Sequence, residues 1–314
     1  MTRSKSRRRR ETPGPAGFLA VDKPRGWTSH DAVDAARRWL GTRRVGHLGT
    51  LDPQATGVLP LAVREATKLV NYVEDSDKSY IGSVRFGVET DTLDGEGRVV
   101  RTYSGRLPDE QTVRGALAEF RGDIEQIPPM FSAVKLRGVP LHRLARKGEE
   151  VERAPKKVRI HRLELLKLDA EAGEAEIVVD CSAGTYVRTL ASDLGQRVGC
   201  GAYLLKLRRV KSGPFHIEDA ASADELAALA EAGRIGERLV SPAAVLGLPT
   251  WTLPEAGARR VMHGAEIPPG TTLRVSPGAR VLAMDEQGRP LALLEMRADR
   301  RMWPLRVLRT AESP

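Results

Sequence analysis

The feature that most limits the fold of this 314-residue chain is the spacing of its apolar residues, which changes along the chain between a period of two and helical spacing. Apolar residues alternate with a period of two from Tyr80 to Val88, which predicts a strand with one buried face. Helical spacing follows at Val113–Phe120 and again at Val187–Val198. Three further segments read as strands: 158–168, 175–181 and 202–210. Because helices and strands mix without regular alternation, we predict the α+β class, with a largely antiparallel mixed sheet flanked by helices.

The first seventy residues carry shorter signals. Residues Gly17–Asp22 predict a strand that Lys23-Pro24 ends. A helix start at Thr28-Ser29 is followed by apolar residues at helical spacing up to Gly41. Residues Gly46–Pro60 are rich in Gly and Pro and show no clean period, so we predict a loop there. A helix carrying Ala66–Val73 is expected to leave that loop.

The carboxyl-terminal part of the chain has a different pattern of secondary-structure signals. One helix is predicted over Ser222–Leu239, after which Pro and Gly interrupt the chain repeatedly. The short strands expected beyond it are Thr272–Val275, Val281–Met284, Leu291–Met296 and Trp303–Leu308. We therefore divide the chain into a basic, disordered tail (1–14), a large domain (15–246) and a small β-rich domain (247–314).

The charge of the chain is concentrated locally. Of the net +9, residues 1–10 contribute +6, residues 249–314 contribute +3, and the acids and bases between them balance. Within this neutral middle, residues 134–160 hold nine Lys or Arg against three Glu. A second cluster comprises Lys206, Arg208, Arg209 and Lys211. Either cluster could bind phosphate or form an ordinary solvated face.

Cysteine usage and hydropathy exclude several classes of protein. The two cysteines, Cys181 and Cys200, lack the spacing of a zinc site and are too few for a disulfide framework. No apolar stretch is long enough to span a bilayer, and no secretory signal follows the basic amino terminus. These features predict a protein of the reducing cytoplasm.

The most informative motif surrounds Asp52. Pro53 restricts the backbone of Asp52 to extended conformations, although an Asp-Pro pair by itself is usually just a turn. The glycines of the motif leave space for a backbone or a ligand: Gly46, Gly49 and Gly57. The ungapped pattern His-x-Gly-Thr-Leu-Asp-Pro-x-Ala-x-Gly-Val-Leu resembles the signature loop of the bacterial tRNA pseudouridine-55 synthases, the TruB family.

Other stretches resemble this family in the expected order. They lie at 22–26, 77–94, 128–135, 181–190 and 207–213. The resemblance is strong over residues 17–215 and implies the pseudouridine synthase catalytic fold. Residues 249–314 resemble, more loosely, the small RNA-binding PUA domain of many family members.

The resemblance assigns three residues to catalysis. Asp52 is the implied nucleophile, which must be ionised at neutral pH, and Arg188 is the cation that stabilises its charge. Asp94 is implied to pair with the same arginine. Tyr80 matches the aromatic residue that stacks on the target base near its C5 proton. From the pattern alone, Tyr80 could instead be a core residue and Arg188 a structural ion pair.

Further residues are assigned to RNA or substrate binding. His47 matches a histidine that contacts the RNA backbone, and Leu207 matches an apolar residue that closes the pocket against water. Lys23 could bind phosphate or hold the site loop. Tyr186 and Arg208 lie in matching motifs and are also assigned to RNA binding. For His47 and Leu207 the ordinary alternatives are a packed histidine and a core leucine.

The resemblance implies isomerisation of a uridine at position 55 in the T-loop of tRNA. The target base must be extruded from the folded loop, at a cost of about a few kcal/mol. The family implies no metal, no organic cofactor and no obligatory protein partner, and we expect a monomer that binds the T-arm stem-loop. Two alternatives stay open, namely an RNA-binding chaperone of tRNA folding, and a synthase for another RNA, like the related guide-RNA-dependent enzymes of eukaryotes and archaea.

Overall fold

The computed structural model describes residues 14–73, 76–132, 134–136, 138–269 and 273–308. The tail predicted over residues 1–14 therefore lies outside the described residues, apart from Gly14.

The strands of the structure, in chain order, are β1 Gly17–Lys23, β2 Val45–His47, β3 Thr56–Val63, β4 Lys78–Phe86, β5 Val88–Thr90, β6 Val99–Thr102, β7 Gly122–Gln126, β8 Lys135–Leu136, β9 Val139–Pro140, β10 Lys156–Asp169, β11 Glu174–Cys181, β12 Ala202–Ser212, β13 Phe215–His216, β14 Ala221–Ser222, β15 Thr250–Thr252, β16 Arg280–Met284, β17 Pro290–Met296 and β18 Met302–Val307. The strands predicted near residues 17, 80, 158, 175 and 202 are all present.

The α-helices are α1 Ser29–Trp39, α2 Glu110–Glu119, α3 Leu141–Ala145, α4 Val187–Val198, α5 Ala223–Glu231, α6 Pro242–Leu246 and α7 Glu255–Met262. The 3₁₀ helices are Arg64–Tyr72, Ile217–Asp219 and Ile235–Arg238. Helix α1 begins at the predicted place because Thr28 and Asp31 form a reciprocal capping box.

One large sheet dominates the molecule. Its strand order is β14-β1-β3-β12-β4-β11-β10-β7, with β2 added to β3 and β13 to β12. The β1–β14 and β3–β12 pairs are parallel, and the other pairs of this sheet are antiparallel. The predicted largely antiparallel mixed sheet is therefore confirmed. Helices α1, α2, α4 and α5 cover one face with a continuous apolar core.

Two of the predicted elements have different bounds in the structure. The loop expected over Gly46–Pro60 is confined to residues 48–55, because β2 and β3 occupy its ends. Strand β3 is buried along nearly its whole length, and a strand buried on both faces shows no period-two pattern. The helix expected over Ser222–Leu239 ends at Glu231, since the chain turns at Gly233 with a positive φ of 72°.

The carboxyl-terminal residues form a second sheet, in the order β15-β16-β17-β18. Strand Thr272–Val275 was expected here, but residues 273–275 are not in a strand and Thr272 lies outside the described residues. Helix α7 was missed. Leu282, Leu293 and Leu308 pack in one cluster with Phe18 of β1 and Leu69 of the 3₁₀ helix Arg64–Tyr72. The two sheets thus share buried apolar surface. Among the described residues, no helix has the length and apolarity needed to cross a membrane.

Candidate active site

A cleft of about 360 Å³ opens where β4, β12, the loop after β2 and the start of α4 meet. A cavity of this volume is of the size that binds a small ligand. The residues that line it are Gly49, Thr50, Leu51, Asp52, Lys78, Tyr80, Ser132, Lys156, Ala183, Gly184, Thr185, Tyr186, Val187, Arg188, Leu207 and Arg209. Of the predicted residues, Asp52, Tyr80, Tyr186, Arg188 and Leu207 are brought together here.

The centre of the cleft is an ion pair between Asp52 and Arg188. Arg188 Nε lies 2.9 Å from Asp52 Oδ2, and its Nη1 lies 3.5 Å from Asp94 Oδ2. The guanidinium also donates to the carbonyls of Thr92 (3.1 Å) and Phe131 (2.9 Å). Arg188 is buried, whereas the Asp52 side chain keeps 40% of its surface open to the cleft. A fixed cation therefore holds a carboxylate that a ligand can reach.

The groups around Asp52 shift the pKa of its carboxyl in opposite directions. Burial raises the pKa of its carboxyl above the ordinary aspartate value, and the Arg188 guanidinium acts against that rise. Asp94 raises the pKa further by repulsion, while Lys23 lowers it. The negative charge of Asp52 thus depends on its cationic neighbours.

Lys23 lies beneath the loop that carries Asp52 and is fully buried. Its ammonium donates to the carbonyls of Trp27 (2.7 Å), Pro24 (3.0 Å) and Pro53 (3.3 Å). Burial lowers its pKa to about 8. Of the two roles considered for Lys23, these contacts support holding the loop, because a buried ammonium directed at carbonyls cannot reach a phosphate.

Arg209 holds the same loop from the other side, although the sequence indicated it only as a member of the second basic cluster. It is 1% exposed and donates to the carbonyls of Val58 (2.8 Å), Gly49 (3.1 Å) and Thr50 (3.5 Å). A Cβ on Gly57 would lie 2.1 Å from the Arg209 carbonyl oxygen, which explains why this position of the motif is glycine. The expectation that the motif glycines admit a close backbone is confirmed at Gly57.

Tyr80 and Leu207 form the apolar side of the cleft. Tyr80 pairs across the sheet with Arg209, and Leu207 lies on the same face of β12 as Arg209. Burial raises the pKa of the Tyr80 phenol, and a hydrogen bond from Arg209 opposes that rise. A flat aromatic ring and a branched apolar side chain at one wall suit a planar base.

Tyr186 stands immediately before α4. Gln126 fixes its backbone, since Gln126 Oε1 accepts from the Tyr186 amide at 3.0 Å and Gln126 Nε2 donates to the Tyr186 carbonyl at 3.3 Å. Burial raises the pKa of the Tyr186 phenol, and a hydrogen bond with Ser132 counteracts this. The start of α4, and with it Arg188, is thereby anchored to β7.

Two predicted residues lie away from the cleft. Arg208 points to the opposite face of β12 and forms a bidentate pair with Asp22, at 3.0 and 2.8 Å. His47 ends β2, is half-buried and does not line the cleft. The basic cluster around residue 208 is therefore not a uniform phosphate-binding face, since Arg209 is buried and Arg208 is paired.

Comparisons with known proteins identify the family to which this fold belongs. The family model "TruB family pseudouridylate synthase (N terminal domain)" matches residues 37–187, and "tRNA pseudouridylate synthase B C-terminal domain" matches residues 188–243. The solved structure of a Cbf5-Nop10-Gar1 complex contains a chain with a TM-score of 0.67 at 26% identity, covering 95% of this chain and 86% of that one. The fold and the site together define the class, which is that of the pseudouridine synthases.

Curated relatives narrow the assignment. A tRNA pseudouridine synthase B of Geobacter sulfurreducens is 45% identical over 282 residues, covering 85% of this chain and 92% of the relative. One of Pseudomonas fluorescens is 41% identical over 297 residues, covering 94% and 96%. The chain belongs to the TruB family of pseudouridylate synthases, isomerases that convert uridine to pseudouridine.

Proposed function

We propose that this enzyme isomerises the uridine at position 55 in the T-loop of tRNA, with Asp52 as its nucleophile. The observation that carries the proposal is the Asp52–Arg188 pair, 2.9 Å apart, in a cleft that Tyr80 and Leu207 flank. Relatives of 40–50% identity that carry the name tRNA pseudouridine synthase B support the choice of tRNA.

The reaction breaks the C1′–N1 glycosidic bond of the uridine and forms a C1′–C5 bond to the same base. The proton lost from C5 is balanced by a proton gained at N1, so no oxidant or second substrate is required. Asp52 supplies the electron pair that attacks the nucleotide, and it is released when the new bond has formed. Arg188 keeps Asp52 ionised, Tyr80 stacks on the base, and Leu207 excludes water from the detached uracil.

The remaining predicted residues have supporting roles in this proposal. Asp94 and Lys23 position Arg188 and the Asp52 loop, as their contacts support. His47 and Arg208 lie outside the cleft, so any contact with RNA by them would be made beside the flipped nucleotide. The second sheet and its basic surroundings, residues 247–314, act as a PUA-like RNA-binding domain.

The enzyme is proposed to work as a monomer without a protein partner. The solved neighbours of 24–26% identity are titled as complexes with Nop10 or as an H/ACA RNP bound to a substrate RNA, whereas the curated relatives of higher identity are named as tRNA enzymes. The tRNA assignment therefore has more support than a guide-RNA-dependent synthase.

The test is tritium release from C5-labelled uridine in an isolated T-arm stem-loop, with wild type and Asp52→Asn compared. We expect release by wild type alone, with RNA affinity within a few-fold in both proteins. Equal loss of activity and binding would contradict the catalytic role, and absence of release by wild type would contradict the substrate.

A further inference from the structure

The cleft lining is strongly unbalanced in charge. It holds one carboxylate, Asp52, against four cations, Lys78, Lys156, Arg188 and Arg209. The uracil base of a uridine is neutral, so the base alone does not account for this excess of positive charge. The phosphodiester groups on either side of the nucleotide are the anions that an RNA substrate brings to such a cleft.

The protein itself uses three of the four cations. Arg188 is held by Asp52 and Asp94, and Arg209 by backbone carbonyls. Lys78 donates to the Ser76 carbonyl at 2.7 Å. Lys156 is exposed, and among the described residues its ammonium forms neither a hydrogen bond nor an ion pair with another residue.

The alternation of β10 separates Lys156 from its basic neighbours. Lys156 shares a face with Val158 and Ile160, both of which are buried, and Ile160 belongs to the core that the helices cover. Lys157 therefore points to the opposite face, together with Arg159, which lies 3.5 Å from Asp123. The structure thus splits the basic cluster of residues 134–160 at this point, and only Lys156 of the 156–159 segment lines the cleft.

The backbone next to Lys156 adds to the positive potential. Its ammonium lies against Gly184, so closely that a Cβ at this glycine would be 2.4 Å from Nζ. Gly184 has a positive φ of 83° and leads into α4, whose amino terminus has no side-chain cap. Val187 and Arg188 of its first turn line the cleft, where the positive end of the helix dipole favours an anion.

We propose that Lys156, beside the first turn of α4, binds a phosphodiester group adjacent to the flipped uridine. The inference rests on the proposed function, because it assumes that an RNA nucleotide occupies the cleft. With the base directed at Asp52 and Tyr80, the backbone lies at the rim, where Lys156 is free. Lys156 is then a substrate-positioning residue that contacts RNA but not the reacting atoms.

The experiment is a double-mutant cycle on binding in the Asp52→Asn background, where no turnover occurs. Lys156→Ala is combined with T-arm stem-loops that carry a single neutral methylphosphonate at the linkage 5′ or 3′ of the target uridine. We expect Lys156→Ala to raise Kd about three- to tenfold at low salt, and to reduce the salt slope by about 0.7 to 0.9. One of the two neutral linkages should raise the Kd of the Asp52→Asn protein by a similar factor. The same linkage should not raise further the Kd of the protein that also carries Lys156→Ala.

Lys157→Ala is the matched control, since this neighbouring lysine has the same charge but points away from the cleft. In the Lys157→Ala protein the neutral linkage should still raise Kd by the same factor as in the Asp52→Asn parent. Lys156→Arg should restore most of the affinity, because it restores the charge. The proposal is overturned if both neutral linkages raise the Kd of the Lys156→Ala protein by the same factor as that of the Asp52→Asn parent. It is also overturned if Lys157→Ala abolishes the effect of the neutral linkage as Lys156→Ala does. Normal tritium release by wild type with no coupling would overturn this inference alone, whereas no RNA binding would overturn the proposed function as well.

Discussion

At the scale of single residues, the site is a carboxylate surrounded by cations with different tasks. Arg188 contacts Asp52 directly, whereas Lys23 and Arg209 hold the loop on either side of it through backbone carbonyls. Neither buried cation forms an ion pair with a carboxylate among the described residues. Their charges are therefore compensated mostly by carbonyl dipoles, which also fix the position of Asp52.

The first prediction concerns pH. Because the pKa of Asp52 is raised, the folded enzyme takes up this proton at a higher pH than an ordinary aspartate, whose pKa is 3.8. The proposed nucleophile is protonated as pH falls through that raised pKa, so the acid limb of single-turnover tritium release should lie above pH 3.8. Asp94→Asn removes a repelling charge and should move the limb to lower pH. An unmoved limb would mean that another group controls it.

At the scale of elements, the signature loop is shaped by a strand that lies far away in the sequence. Arg209 of β12 lies 151 positions from Val58, yet the two are hydrogen-bonded at 2.8 Å. The parallel pairing of β3 with β12 brings Gly57 opposite Arg209. The loop around Asp52 and the segment Leu207–Arg209 thus pack against each other and form one structural unit.

A second prediction tests this unit with two glycines of the same motif. Gly57→Ala places a Cβ 2.1 Å from a backbone oxygen at a φ of 106°, and we expect it to lower the free energy of unfolding by about 1–3 kcal/mol or more. It should also reduce kcat, because Arg209 and the loop must shift. At Gly46 nothing lies within 4 Å of the added Cβ, so Gly46→Ala should change both quantities little. Urea unfolding and tritium release measure the two effects, and equal effects would contradict the packing described.

At the scale of the whole molecule, the second sheet is attached to the first through a common apolar cluster. Leu293 of β17 belongs to this cluster, whereas its neighbour Leu294 belongs to the separate core around β15–β18. Lys68 adds hydrogen bonds to the carbonyls of Leu308 (2.7 Å) and Val307 (3.1 Å). The catalytic half is therefore expected to depend for its stability on the contact with the second sheet.

The third prediction compares these two adjacent leucines. Each is fully buried, so each Leu→Ala change should cost about 2–5 kcal/mol locally. Only Leu293→Ala should lower the temperature at which tritium-release activity is lost, because only Leu293 packs on the catalytic half. Hydrogen exchange in β1 and β3 should report the same difference. Identical inactivation temperatures for the two variants would show that the sheets are stable independently.

The sequence by itself determined the fold class, most strands, helices α1, α2 and α4, and the family, because periodicity and an ungapped motif are local properties. Its motifs also singled out Asp52, Tyr80 and Arg188, which the structure brings together in one cleft. Tertiary structure alone decided where the other charged residues point: Lys23 and Arg209 into the interior, Arg208 to Asp22, and Lys156 into the cleft. It also turned the ends of the expected loop into β2 and β3. Those outcomes depend on strand pairing and burial by distant residues, and a local pattern does not contain the partner that makes a buried charge stable.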